Sequence, residues 1–249
     1  AGSLSLAEGA VLASAVRNAA SFGNAGTVNG LVTNDGTLVS TGVLGGGLVN
    51  AAERTATLSG TVRGPVTNSG TITVGSGSTL VSTPITNTAT GRIANAGNLT
   101  GDLANAGLTV NTGTWTGAVI NETGGVVDNA DTGTLTGAFD NRGGLVSTGT
   151  LSGSLANSGI ARLSGTLVGP LVNSGQLQAS GELAHSGEVT NSGSFEVFEG
   201  TLATSRTFNN SGSLTVVSGS TLTLGTGAIL RNSGASAMIE VRGTLRGPV

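Results

Sequence analysis

Chemistry in this chain would have to come from thirteen acids, ten arginines and one histidine, because cysteine and lysine are both absent. The histidine, His185, sits in Leu183-Ala184-His185-Ser186-Gly187, a context that copies the Asn-Ser-Gly phrases found elsewhere. It therefore reads as an Asn-like turn residue and not as a general base. One His, no Cys and scattered carboxylates do not assemble the three or four ligands a zinc site needs. The Gly-rich nonapeptide array that binds calcium is also missing. No metal and no cofactor is expected. The acids come closest together in sequence at Glu122, Asp128, Asp131 and Asp140, and again at Glu182, Glu188, Glu196 and Glu199. Two carboxylates held at a fixed separation would hydrolyse glycosidic bonds, but no spacing here pins such a pair. Glu122 and Arg142 each follow a repeated Asn by one position, which suits an ion pair between neighbouring coils better than acid–base work. No catalytic residue is assigned, and the chain is read as a non-enzyme.

Thr-x-Thr pairs, the chemistry of an ice-binding face, occur at Thr71/Thr73, Thr114/Thr116, Thr134/Thr136 and Thr221/Thr223. The positions equivalent to the first pair in later repeats are Gln176/Gln178 and Ser194/Glu196, so the array is broken. Net charge is −3 and no basic stripe is present, which excludes nucleic acid and anionic membrane as natural partners. No apolar run is long enough to span a bilayer, so no direct membrane insertion is expected.

These residues are carried by a repeat. Asn18, Asn34, Asn50, Asn68, Asn87, Asn105, Asn121, Asn141, Asn157, Asn173, Asn191, Asn210 and Asn232 recur at intervals of 16 to 22 residues. Each has an aliphatic or aromatic residue two positions before it, from Val16 through Phe139 and Phe208 to Leu230. A period of this size marks a solenoid in which each repeat is one coil stacked on the last. In an extended segment, residues two apart share a face, so each Asn points inward with its apolar partner. Buried amides are costly alone but satisfied when stacked in a ladder. The thirteen asparagines are accordingly assigned to one structural ladder.

Val28, Leu44, Trp115, Leu151 and Leu167 form a second anchor, ten residues after their asparagines in the 16-residue intervals. Phe22, Leu38, Leu145 and Phe195, four residues after an Asn, complete the expected core, while Phe198 has no place in the pattern. Each coil then reads as two or three short strands with Gly-rich corners. The glycines two residues after Asn, as at Gly26, Gly70, Gly159, Gly175 and Gly193, suit a corner with positive φ. The extra residues of the longer intervals belong in outward loops. Only Ala10 to Ala20 resembles a helix, and there the Asn register argues for strand.

The expected fold is all-β: a single parallel β-helix, or β-solenoid, of about thirteen coils over residues 1–249. Residues 1–17 would form a partial coil. Val249 closes the phrase Gly243-Thr244-Leu245-Arg246-Gly247-Pro248-Val249, whose earlier copies at 60–66 and 165–171 each lead to a ladder Asn two positions on. The sequence thus reads as a fragment cut in mid-coil, and its stack would be on the order of 60 Å long at the β spacing.

Coils of the form Asn-Ser-Gly-x-Leu-x-x-x-Gly-x-Leu-x-Gly-x-Leu, from about Ala10 to Val249, resemble the passenger regions of bacterial autotransporters and filamentous-haemagglutinin-like adhesins. The resemblance implies a right-handed β-helix, secreted and held at the bacterial cell surface. Anchoring in the outer membrane would come from a C-terminal region outside this sequence. It also implies partners on host or neighbouring-cell surfaces, or a second copy of the chain. Coils near 16 residues are shorter than in many such passengers, and no head domain or protease triad is visible. The function expected is a non-catalytic structural or adhesive rod mediating adhesion or aggregation. One alternative is an extracellular fibre or biofilm-matrix protein that stacks end to end. A second is a β-helical polysaccharide-active enzyme, with the long intervals 121–141 and 210–232 as the places for a groove.

Overall fold

The computed structural model describes residues 2–82 and 84–247. Val249, read above as the apolar half of a further Asn pair, lies outside the described residues. Among the described residues there are strands and turns but no helix. The chain forms two compact units, 1–128 and 129–249. Each is a β-solenoid of parallel strands, with seven ladder asparagines in the first and six in the second, about thirteen coils in all.

One coil of the first unit shows the design. Val32–Asn34 is the Asn strand, Thr37–Ser40 the middle strand and Val43–Leu44 the third strand. Their burial alternates, so Val32, Asn34, Leu38, Ser40 and Leu44 face inward while Thr37 and Val39 face out. Three short strands separated by corners make a three-sided coil. Each strand pairs in register with its counterpart in the next coil, as in Val32↔Leu48, Thr33↔Val49 and Asn34↔Asn50. Register is fixed because a one-residue slip would turn every apolar side chain outward.

The core is a set of narrow columns. Phe22, Leu38, Ala56, Ile72 and Ile93 stack along the middle strands, and Leu80, Leu99 and Trp115 along the third. In the second unit Phe139, Leu155, Leu171, Val189 and Phe208 line the Asn strands. Phe195 meets Phe208 edge to face, with ring centroids 5.1 Å apart. The Trp115 indole donates to the Gly101 carbonyl at 2.9 Å, which satisfies its one polar atom in the core. All the anchor residues expected from the sequence are buried, and Phe198 is half-buried beside a bulge. The segment 10–20 holds the strands Val11–Leu12 and Val16–Asn18.

Two expectations are corrected. Gly26, Gly70, Gly159, Gly175 and Gly193 are not in the positive-φ region; that conformation occurs instead at the corner before the Asn strand, as at Gly169 (φ 119°), and, two residues after Asn232, at Gly234 (φ 118°). A Cβ on Gly159, Gly175 or Gly193 would meet the carbonyl oxygen of Gly143, Gly159 or Gly175 far inside van der Waals contact. These glycines are required because successive coils lie too close at that corner for any side chain. Nor do all longer intervals form loops. Corners do lengthen at 51–54, 75–78 and 88–91. Between Asn173 and Asn210, however, the added residues are absorbed into the long strands Gln176–His185 and Ser194–Thr204, in which middle and third strands merge. Their register shifts between Ser180 and Gly181, and the residue opposite that shift, Glu199, adopts φ 49°. A bulge takes up an extra residue while the flanking strand keeps its pairing.

The coil contact makes a direct prediction. Gly175→Ala should destabilise the fold by about 1–3 kcal/mol through overpacking. Gly23→Ala, which meets nothing within 4 Å and needs no positive φ, should be neutral in the same urea titration.

Candidate functional site

The residues assigned from sequence as the structural ladder do form one within each unit. In the first unit Asn18 Nδ2 donates to Asn34 Oδ1 at 2.7 Å, and the bonds 34→50, 50→68, 68→87, 87→105 and 105→121 follow at 2.8 Å. In the second unit 141→157, 157→173, 173→191 and 210→232 are 2.7 Å and 191→210 is 2.8 Å. Each donor also reaches backbone: Asn157 Nδ2 contacts Gln176 O at 3.0 Å in the next coil. Asn suits the position because its short stem carries a donor and an acceptor side by side. Asp would lose the donor, and Ser could not bridge both ways at coil spacing.

A second, interrupted column escaped the sequence reading. Asn24, Asn95, Asn111 and Asn129 end middle strands and are buried. Asn95 Nδ2 donates to Asn111 Oδ1 at 2.8 Å, Asn24 to Ser40 Oγ at 3.0 Å and Asn129 to Ser147 Oγ at 3.2 Å. The signal was present, since Phe22-Gly23-Asn24, Ile93-Ala94-Asn95 and Val127-Asp128-Asn129 repeat the apolar-x-Asn phrase. Leu58 and Val74 occupy the same place in other coils and break the period.

His185 is not a turn residue. Alternation along Leu183-Ala184-His185 buries it with Leu183, and it stacks between Leu167 and Thr204 in a core column. Its Nε2 lies 3.0 Å from Gly169 O and its Nδ1 3.2 Å from Thr204 Oγ1. With Nε2 donating to the carbonyl, Nδ1 accepts from the hydroxyl and the ring is neutral. Burial pushes its pKa below the ordinary value, with the hydrogen bond to Gly169 opposing in part. Two bonds to structural groups leave neither nitrogen for a substrate.

The carboxylates are dispersed over the coil. Glu196 lies on a middle strand, Glu182 beyond the bulge and Glu188 at the corner before an Asn strand, where it accepts from Asn209 at 2.5 Å. Asp140 pairs with Arg142 on its own coil at 2.6 Å, and Asp35 with Arg17 at 2.6 Å. Among the described residues no three His, Asp or Glu gather as a metal-binding group. The Thr-x-Thr pairs fall on two sides: Thr71/Thr73 on a middle strand, Thr114/Thr116, Thr134/Thr136 and Thr221/Thr223 on third strands.

What the surface does offer is rows of outward side chains in register. Thr37, Thr55 and Thr71 align in the first unit, as do Thr33, Val49, Thr67 and Thr86 on the Asn strands. In the second unit one row widens into a groove of about 330 Å³ whose lining includes Arg162, Gln178, Glu196 and Thr215. Gln178 Nε2 donates to Glu196 Oε2 at 2.8 Å along its floor.

Two measurements follow from the interior. Asn157→Ala orphans the Asn141 donor and the Asn173 acceptor and should cost about 1–3 kcal/mol. Ser152→Ala, on an outward position of a third strand, should cost far less; equal losses in urea would disprove the inward assignment. His185 gives a pH dependence. Because its folded-state pKa lies below the ordinary value of about 6.5, the unfolded chain binds more protons in that window. Its contribution is whole above that pH, is lost as pH falls toward the folded value, and is flat below. His185→Asn should remove this part of the slope in urea midpoints measured between neutral and mildly acid pH.

No protein-family model matches the chain, and no curated protein matches it. Among solved structures, the chain is similar to the crystal structure of a TibC-catalyzed hyper-glycosylated TibA55-350 fragment. Identity is 16%, 99% of this chain and 94% of that chain are covered, and the TM-score is 0.33. A likeness at this level bears on neither activity nor ligand.

Proposed function

We propose that the chain is a non-catalytic structural and adhesive β-solenoid of passenger type, displayed on a bacterial cell surface, where it mediates adhesion or aggregation. One observation carries the reading. Over most of the described coils the inward half is committed to apolar columns and hydrogen-bonded amides, while the outward half repeats small polar and β-branched side chains in register. A surface of this kind engages a partner through many equivalent contacts at coil spacing. Contacts that are weak singly become strong when linked on one scaffold. Absence of cysteine supports export, since a chain without thiols crosses into an oxidising compartment without forming disulfides.

The test is adhesion of coated particles. Beads carrying the purified chain should attach to immobilised extracellular-matrix components or to cells, or clump with one another, well above beads carrying albumin. Attachment equal to the albumin control would refute the proposal. So would release of new reducing ends from a panel of polysaccharides, which would make the chain an enzyme.

A further inference from the structure

In the first unit the outward position at the third residue of the middle strand carries Gly23, Val39, Thr57, Thr73 and Ala94 in successive coils. The same row in the second unit runs Val146, Arg162, Gln178, Glu196 and Thr215. Three long polar side chains thus replace small ones on adjacent coils, at the place where the strands lengthen and bulge. Coil stability does not call for them. The charges are not arranged as a pair: Arg162 and Glu196 are two coils apart, about 10 Å at the β spacing. Gln178 satisfies Glu196, while the Arg162 guanidinium has no hydrogen-bond or ion-pair partner among the described residues. Beside this row Gln176 and Ser194 add groups that both donate and accept, and Ile160, 62% exposed, forms an apolar wall.

We infer that this groove binds an acidic oligosaccharide, a short chain of sugar rings bearing ring carboxylates, with one carboxylate on Arg162 and hydroxyls on Gln176, Gln178, Ser194 and Thr215. The inference rests on the adhesive reading of the outward faces and names the ligand class of one of them. Vicinal hydroxyls are matched by side chains that donate and accept at once, which Gln, Ser and Thr do. Rings in an extended sugar chain repeat on the same scale as coils spaced ~4.8 Å apart, so two or three successive rings meet successive coils. A free guanidinium on the groove wall selects a carboxylate through paired, charge-assisted hydrogen bonds. Glu196 accepts from sugar hydroxyls. An extended peptide is the poorer occupant. Peptides add to an open strand edge, whereas the strands under this groove are paired with coils on both sides.

The experiment is calorimetric titration of the full chain with a short oligogalacturonate and with its fully methyl-esterified form. The acid should bind and the ester should bind about tenfold or more weakly, because the charge-assisted bonds are lost. Arg162→Gln should lower affinity for the acid by about the same factor and leave the ester unaffected. Gln178→Ala should weaken both probes a few-fold. Arg63→Gln, an exposed arginine of the first unit, should change neither. All three substitutions are at outward positions, and unchanged thermal melts would verify that the fold is retained. The inference is overturned if neither probe binds, if acid and ester bind alike, if Arg162→Gln binds as the parent does, or if Arg63→Gln loses as much. Coated beads separate this from the broader reading. Adhesion without oligosaccharide binding sinks the groove and leaves the adhesive reading. Oligosaccharide binding without adhesion does the reverse.

Discussion

A buried primary amide has two hydrogens to place and a carbonyl oxygen to satisfy, and failure costs more than the amide's bonds contribute when made. That constraint organises the whole of each unit. Asn157 can be satisfied only if Asn141 lies one coil before it and Asn173 one coil after, both at the same depth and angle. Register between coils is therefore set by a polar requirement as well as by the apolar alternation. Ile, Leu, Val and Phe interchange freely in the columns beside the ladder, since hydrophobic burial is non-directional. The amide cannot be so exchanged. Variation in coil length is pushed away from the Asn strand, which remains three residues long in every coil, and into the corners and the other two sides.

This division explains what could be read from the sequence. The ladder and its apolar partners were legible because a strict period of two within the strand coincided with a recurring period along the chain. The middle-strand column was not, although Asn24, Asn95 and Asn129 each end the same apolar-x-Asn phrase, because Asn111 stands two positions after Thr109 and not after an apolar residue. There Leu58 and Val74 fill equivalent sites, so period and residue type fail together. His185 was misplaced because the Ser-Gly after it mimics the turn after a ladder Asn, while alternation from Leu183 points it inward. The glycines after Asn were located correctly but for the wrong cause. Positive φ is a local property, whereas contact between Gly175 and the Gly159 carbonyl is made by two coils. No single stretch of sequence contains that contact. The long strands 176–185 and 194–204 were invisible for a related reason, since Ser180-Gly181 and Glu199-Gly200 read as corners but form bulges.

Alternation also separates two kinds of selection. Inward residues answer to the stack and outward ones to whatever lies outside. Arg162 and its inward neighbours Ala161 and Leu163 occupy consecutive positions yet contribute to opposite faces. A run of outward substitutions can thus build or erase a binding groove with little effect on stability. The second unit shows the outcome, where bulged coils carry Gln178 and Glu196 in positions that the first unit fills with Gly, Val, Thr and Ala.

All the ladder bonds run one way: Nδ2 of each rung points to Oδ1 of the rung that follows. Head-to-tail amides add their dipoles, as peptide units do along a helix axis. Each unit therefore contains a line of electrical polarisation through an interior that holds no net charge. Hydrogen bonds in such a chain strengthen one another cooperatively in a medium of low dielectric constant. An ionised side chain placed in the column would feel that field as well as its own lost hydration, and its cost would depend on its sign and on which end of the line it stood nearer. The core is neutral by composition, but it is not electrically symmetric.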